Sequence, residues 1–118
     1  MLRDIQEIKR YTIGATDGEI GHVSTMLVDE DSWVIRYLVV DTSDWWLGHQ
    51  VLVPPEWAIG VSWTQSKVSI DLSRTTIKNS PRYESSVALN RAQETDLYQH
   101  YGRLTYWERD HARELLAH

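Results

Sequence analysis

The 118-residue chain contains no cysteine and no phenylalanine. Without thiols it can form no disulfide, no thiolate nucleophile and no cysteine-ligated metal site, which removes several enzyme classes together. Basic residues are outnumbered, 12 Lys and Arg standing against 17 Asp and Glu for a net charge of -5. Such a chain has no long-range field to draw it to nucleic-acid phosphates, so no nucleic-acid partner is expected. No stretch approaches the roughly 20 apolar residues of a membrane-spanning helix. The opening Met1-Leu2-Arg3-Asp4 also lacks a signal peptide's apolar run. The expectation is a cytoplasmic protein with no integral membrane segment. Internal repeats and low-complexity linkers are absent, so residues 1–118 read as a single domain.

What is present is ordinary in bulk and unusual in detail. A hydrophobic fraction of 42% with 25% charged residues belongs to a globular protein and is too apolar for a disordered one. Six Trp and six Tyr supply all the aromatic side chains. Each carries a polar edge that suits a half-buried or interfacial position, so these rings are candidates both for the core and for a contact surface.

Residues 10–72 read as strands joined by tight turns. Tyr11-Thr12-Ile13-Gly14-Ala15 and Ile20-Gly21-His22-Val23 flank an Asp17-Gly18 pair, a strong two-residue hairpin signal because Gly accepts the positive φ of a type I′ turn. Residues 10–28 are therefore a hairpin, with Gly14 and Gly21 allowing its strands to bend. The consecutive apolar residues Met26-Leu27-Val28 predict a bulge or burial on both faces. After the polar turn Asp29-Glu30-Asp31-Ser32, the β-branched and aromatic run from Trp33 to Asp41 is the strongest strand and is placed at the centre. A loop carrying Trp45-Trp46 leads to the strand His49-Gln50-Val51-Leu52-Val53, which Pro54-Pro55 ends. Val68, Ile70 and Leu72 alternate with polar neighbours in a strand with one inward face.

Residues 73–118 change character. Arg74 to Asn79 can make one helical turn before Ser80-Pro81 stops it. Asn90 with Gln93 forms a variant capping box, and Gly102 closes a helix of about three turns over residues 91–101. Thr105 with Glu108 opens a last helix from Tyr106 towards Leu116, with an apolar strip of Trp107, Ala112 and Leu115 or Leu116.

Five ordered blocks carry a family resemblance. They are Gly18-Glu19-Ile20-Gly21-His22-Val23, the run from Trp33 to Thr42, Val51-Leu52-Val53-Pro54-Pro55-Glu56, Ile77-Lys78-Asn79-Ser80-Pro81-Arg82-Tyr83, and the segment from Leu97 to Trp107. Together, over about residues 10–107, they resemble bacterial PRC-barrel proteins. That family takes its name from a barrel shared by the cytoplasmic domain of the photosynthetic reaction-centre H subunit and the C-terminal domain of a ribosome maturation factor. The resemblance implies a mainly β fold: a small, strongly bent antiparallel β-barrel over about residues 10–72 with one or two C-terminal helices. It also implies action by docking onto larger protein assemblies, with no catalytic motif to carry over.

Chemical alternatives are weaker. The glycines from Gly14 to Gly21 lack the following helix that a phosphate loop needs. Asp29, Glu30 and Asp31 lack the Gly and bidentate Glu of an EF-hand loop. Among the five histidines, His111 has a carboxylate one helical turn away in Glu108 or Glu114, which surface pairing explains. No Ser stands in a nucleophile-elbow context. The expectation is no catalytic residue, no metal and no cofactor. Function is read as a non-catalytic interaction or scaffold module with a protein partner, the alternatives being an apolar-ligand barrel or a ribosome-associated assembly factor. A homodimer or a higher even oligomer is expected, with Trp45, Trp46, Tyr98, Tyr101, Tyr106 and Trp107 as candidate contact residues.

Overall fold

The hairpin expected over residues 10–28 forms, with its turn displaced by one residue. Strands β2 (Thr12–Ala15) and β3 (Gly18–Asp29) pair antiparallel with Ala15 opposite Gly18, so Thr16 and Asp17 are the two loop residues. Gly18 opens β3 at φ 141°, where a side chain is strongly disfavoured. The displacement has a long-range cause. The Asp17 carboxylate accepts the Arg74 backbone N–H at 2.9 Å, and the Thr16 N–H donates to the Leu72 carbonyl at 2.9 Å. The turn is thus fastened to the chain that leads into the first helix.

The computed structural model describes residues 2–5 (as backbone), 10–42, 49–84, 86 and 88–116. They belong to two compact units, Met1–Glu84 and Ser85–His118. In the first unit β3 is the organising strand. One side of it pairs with β4 (Ile35–Asp41); the other pairs with β2 near its start and with β1 (Leu2–Ile5) near its end. Register shifts at Ser24 and between Leu27 and Val28 supply two irregularities at which the strand can bend. Met26, Leu27 and Val28 are all buried, so burial on both faces and a bulge occur together.

β4 is interior to the sheet, between β3 and β5 (Gln50–Val53), and buries Tyr37, Leu38, Val39 and Val40 in succession. It begins two residues later than the sequence predicts. Trp33 donates its N–H to the Asp29 carbonyl at 2.7 Å, and the Asp29 N–H reaches the Val34 carbonyl at 2.9 Å. Those bonds close the acidic turn around Trp33 and take it out of the ladder, at φ 57°.

Pro54-Pro55 ends β5 as expected, Pro55 opening a single 3-10 turn (Pro55–Trp57). β6 (Ala58–Ser62) and β7 (Lys67–Ile70) then form a second hairpin, with Val68, Ile70 and Leu72 buried. β7 joins the sheet beside β2, Thr12 opposite Lys67, and this pairing is parallel. The wholly antiparallel arrangement is therefore corrected at one ladder. β7 reaches β2 as the second arm of the β6–β7 hairpin and runs in the same direction as β2.

Helix α1 (Arg74–Lys78) is the expected single turn, capped by Ser73, whose hydroxyl accepts the Thr76 N–H at 3.2 Å. It buries Ile77 and packs on β3 and β5. The two-residue β8 (Arg82–Tyr83) completes the order β6-β7-β2-β3-β4-β5-β8, with β1 beside β3. Among the described residues no ladder joins β6 to β8, so the protein is mainly β with an open sheet.

The second unit contains α2 (Arg91–Tyr101) and α3 (Tyr106–Leu116). Both halves of the Asn90–Gln93 capping box are made, and Gly102 ends α2 in the left-handed region at φ 68°. Thr105 caps α3 by accepting the Glu108 N–H at 3.2 Å. Of the expected apolar strip on α3, Trp107 and Ala112 are half-buried, whereas Leu115 and Leu116 are exposed. Among the described residues no helix is long and apolar enough to cross a membrane.

Candidate interaction surface

Three of the aromatic residues singled out by sequence meet in the second unit. The Trp107 ring stands edge-on to Tyr106 at 5.0 Å between centroids and to Tyr98 at 6.3 Å. Arg91, the first residue of α2, lays its guanidinium over Trp107 at 3.9 Å and donates from Nη1 to the Tyr106 hydroxyl at 2.8 Å. The same Nη1 lies 3.6 Å from the buried Glu94 carboxylate. One planar cation thereby ties the start of α2 to the start of α3. Tyr98, Tyr101 and Tyr106 are buried and Trp107 is half-buried; Tyr101 stands edge-on to His100 at 5.2 Å. Trp45 and Trp46 lie outside the described residues.

This clasp makes a direct prediction. Stacking over an aromatic face contributes about 0.5–2 kcal/mol, and a hydrogen bond about 1 kcal/mol net. Arg91→Ala is expected to destabilise the helical unit by about 1–2 kcal/mol. Arg91→Lys should restore only part of it, because an ammonium cannot stack flat and donate in the same plane. Thermal unfolding followed by far-ultraviolet circular dichroism measures both, and a lysine variant equal to the parent would refute the stacking role.

In the first unit the accessible apolar side chains are ones the sequence reading did not select. Trp33 is 64% exposed and is followed by the exposed Val34 and Ile35. On β6, Ile59 is 71% exposed, Val61 is exposed, and Trp63 just beyond it is 68% exposed with its ring edge-on to Tyr11 at 5.9 Å. By sequence Trp33 belongs to the strand, where a strong β-former counts as core. Its neighbour Asp29 gave a signal, because a carboxylate two residues before an available N–H favours a local turn over a continued strand.

That carboxylate shapes the tip carrying Trp33. Asp29 accepts the Asp31 N–H at 2.9 Å. This bond, a second from the Ser32 N–H and the Arg36 guanidinium at 3.8 Å together hold its pKa below the usual value against the opposing effect of burial. A depressed folded-state pKa stabilises the protein above the unfolded value, and the contribution is lost as pH falls through the folded one. The stability difference between the parent and Asp29→Ala is thus expected to be constant from neutral pH to about pH 5 and to shrink progressively below about pH 4. Urea titrations across that range measure it, and a difference independent of pH would contradict the assignment.

Polar groups also gather where β3, β4 and β5 meet. Gln50 Nε2 donates to Ser24 Oγ at 3.3 Å, Ser24 donates to the Val39 carbonyl at 3.3 Å, and His22 Nε2 lies 4.0 Å from Asp41 Oδ2. The Ser24 hydroxyl is directed at a backbone carbonyl, the geometry of a bonded bulge and not of an activated nucleophile. His49 contributes its carbonyl to the Thr42 hydroxyl at 2.9 Å. Among the described residues no three His, Asp or Glu side chains converge as a metal site would require.

No protein-family model matches the chain, and no curated protein is significantly similar to it. The reading of function accordingly rests on the surface itself.

Proposed function

We propose that this chain is a non-catalytic interaction module of the PRC-barrel type, which acts in the cytoplasm by docking onto a larger protein assembly and associates with a second copy of itself. The observation that carries the proposal is the exposed run Trp33-Val34-Ile35, presented on a turn in which Trp33 holds φ 57°. A bulky residue in the left-handed region costs of order 1 kcal/mol or more and persists only where surrounding bonds over-determine it. Here the bonds around Asp29 do so, and they present an indole to solvent where a partner would bury it. Tryptophan is among the side chains that contribute most when buried at a protein contact.

β3, paired on both sides and twice irregular in register, supports the PRC-type reading of the sheet, because such irregularities let a strand curve toward closure. The test is a photo-crosslinking amino acid placed at position 33 in the native host. One or a few protein adducts, lost when Ile35 is replaced by Asp, are the expected result. An absence of protein adducts would refute the docking role of this tip.

A further inference from the structure

We propose that β6 is the seam through which two copies of this chain associate, edge to edge about a two-fold axis at Val61. This deepens the self-association in the reading above and rests on it. β6 ends the sheet, with β7 as its one ladder neighbour among the described residues. A terminal strand offers its outer backbone groups to another strand unless it is very short, charged or interrupted by proline. The opposite terminal strand has all three protections: β8 is two residues long, follows Pro81 and carries Arg82. β6 differs, because residues 57–66 contain neither a charge nor a proline, and Ile59, Val61 and Trp63 are exposed.

Charge selects the occupant and its orientation. Copies of a chain with net charge -5 repel one another, so contact is favoured where the approaching surface is neutral. The register shift at Ile59 leaves Gly60 to Ser62 as the regular stretch, whose self-pairing in antiparallel sense centres on Val61. None of the described residues stands within 4 Å of where a Gly60 side chain would be, so the face of the strand is open at this point. The uncharged segment is bounded by Glu56 before it and Lys67 after it. Antiparallel association brings the acidic end of each copy to the basic end of the other, whereas a parallel arrangement would set acid beside acid.

The absence of native cysteine makes the test clean. In an antiparallel pair, residues facing one another lie about 4.5–5.5 Å apart between Cα atoms, inside the disulfide range of about 4.4–6.8 Å. A single Val61→Cys substitution is therefore expected to form a covalent dimer under mild oxidation at least tenfold faster than Leu115→Cys, which is also exposed. Val61→Lys should weaken association at least tenfold by light scattering while leaving unchanged the thermal melt measured at concentrations where the parent is dissociated. A parent dimer with no preferential crosslink at position 61 would overturn the β6 seam and leave self-association standing. A parent that stays monomeric across the concentration range would overturn both.

Discussion

Replacing Gly21 by alanine is expected to lower the melting temperature of the sheet unit by roughly 10–20 °C, the effect of about 3 kcal/mol on a domain of this size. A Cβ at this position would run into the Asp41 carbonyl oxygen, with Asp41 C and Val40 Cγ1 each 3.1 Å away. Neither can give. Asp41 is ladder-paired to His22 on one side and to Gln50 on the other, and Val40 is fully buried. The matched control is Gly60→Ala on β6, where the new methyl meets none of the described residues within 4 Å. That variant is expected to be neutral or stabilised by about 0.4–1 kcal/mol through the lower entropy of its unfolded state. A Gly21→Ala protein melting within two or three degrees of the parent would contradict the close approach of β3 to β4.

Truncating Tyr37 to alanine is expected to cost about 3–5 kcal/mol, the range for removing a large ring from a core. Tyr37 is fully buried in β4, which is paired on both sides and so cannot shift to refill the space. Because whole domains are stable by only about 5–15 kcal/mol, a substantial unfolded fraction should be visible at ambient temperature. Tyr37→Phe should cost no more than about 1–2 kcal/mol, since it keeps the ring and removes only the hydroxyl. Urea denaturation followed by tryptophan fluorescence separates the two, and a cost below about 1 kcal/mol for the alanine variant would show that β4 is not the centre of the core.

The local elements were legible because their signals are local. Asn90 and Gln93 close a capping box through bonds three residues apart, and Gly102 supplies the left-handed residue that ends the helix. Ser80-Pro81 stopping α1 and Pro54-Pro55 ending β5 are equally short-range. What escaped depends on distant partners. The hairpin turn moved by one residue because Asp17 is bonded to Arg74, 57 residues away. The parallel ladder of β2 with β7 joins segments more than 50 residues apart, and no strand pattern distinguishes it from an antiparallel one.

The candidate surface divides in the same way. Tyr98, Tyr106 and Trp107 do converge, as residues bracketing a helix-helix turn can, but into a cluster held by Arg91. Ile59, Val61 and Trp63 are exposed because β6 ends the sheet. Strand order is not written in the strand. Trp33 is hidden in the sequence by its own β-propensity, and the hydrogen bonds of Asp29 hold the turn that carries it.

The docking role is tested most directly by the size of the protein in gently prepared extract of its native host, compared with the purified chain on the same gel-filtration column. The account predicts elution well ahead of the purified chain, and a return to the purified chain's position when Trp33 is replaced by Asp. Elution at the position of the purified protein, unchanged by that substitution, would contradict it.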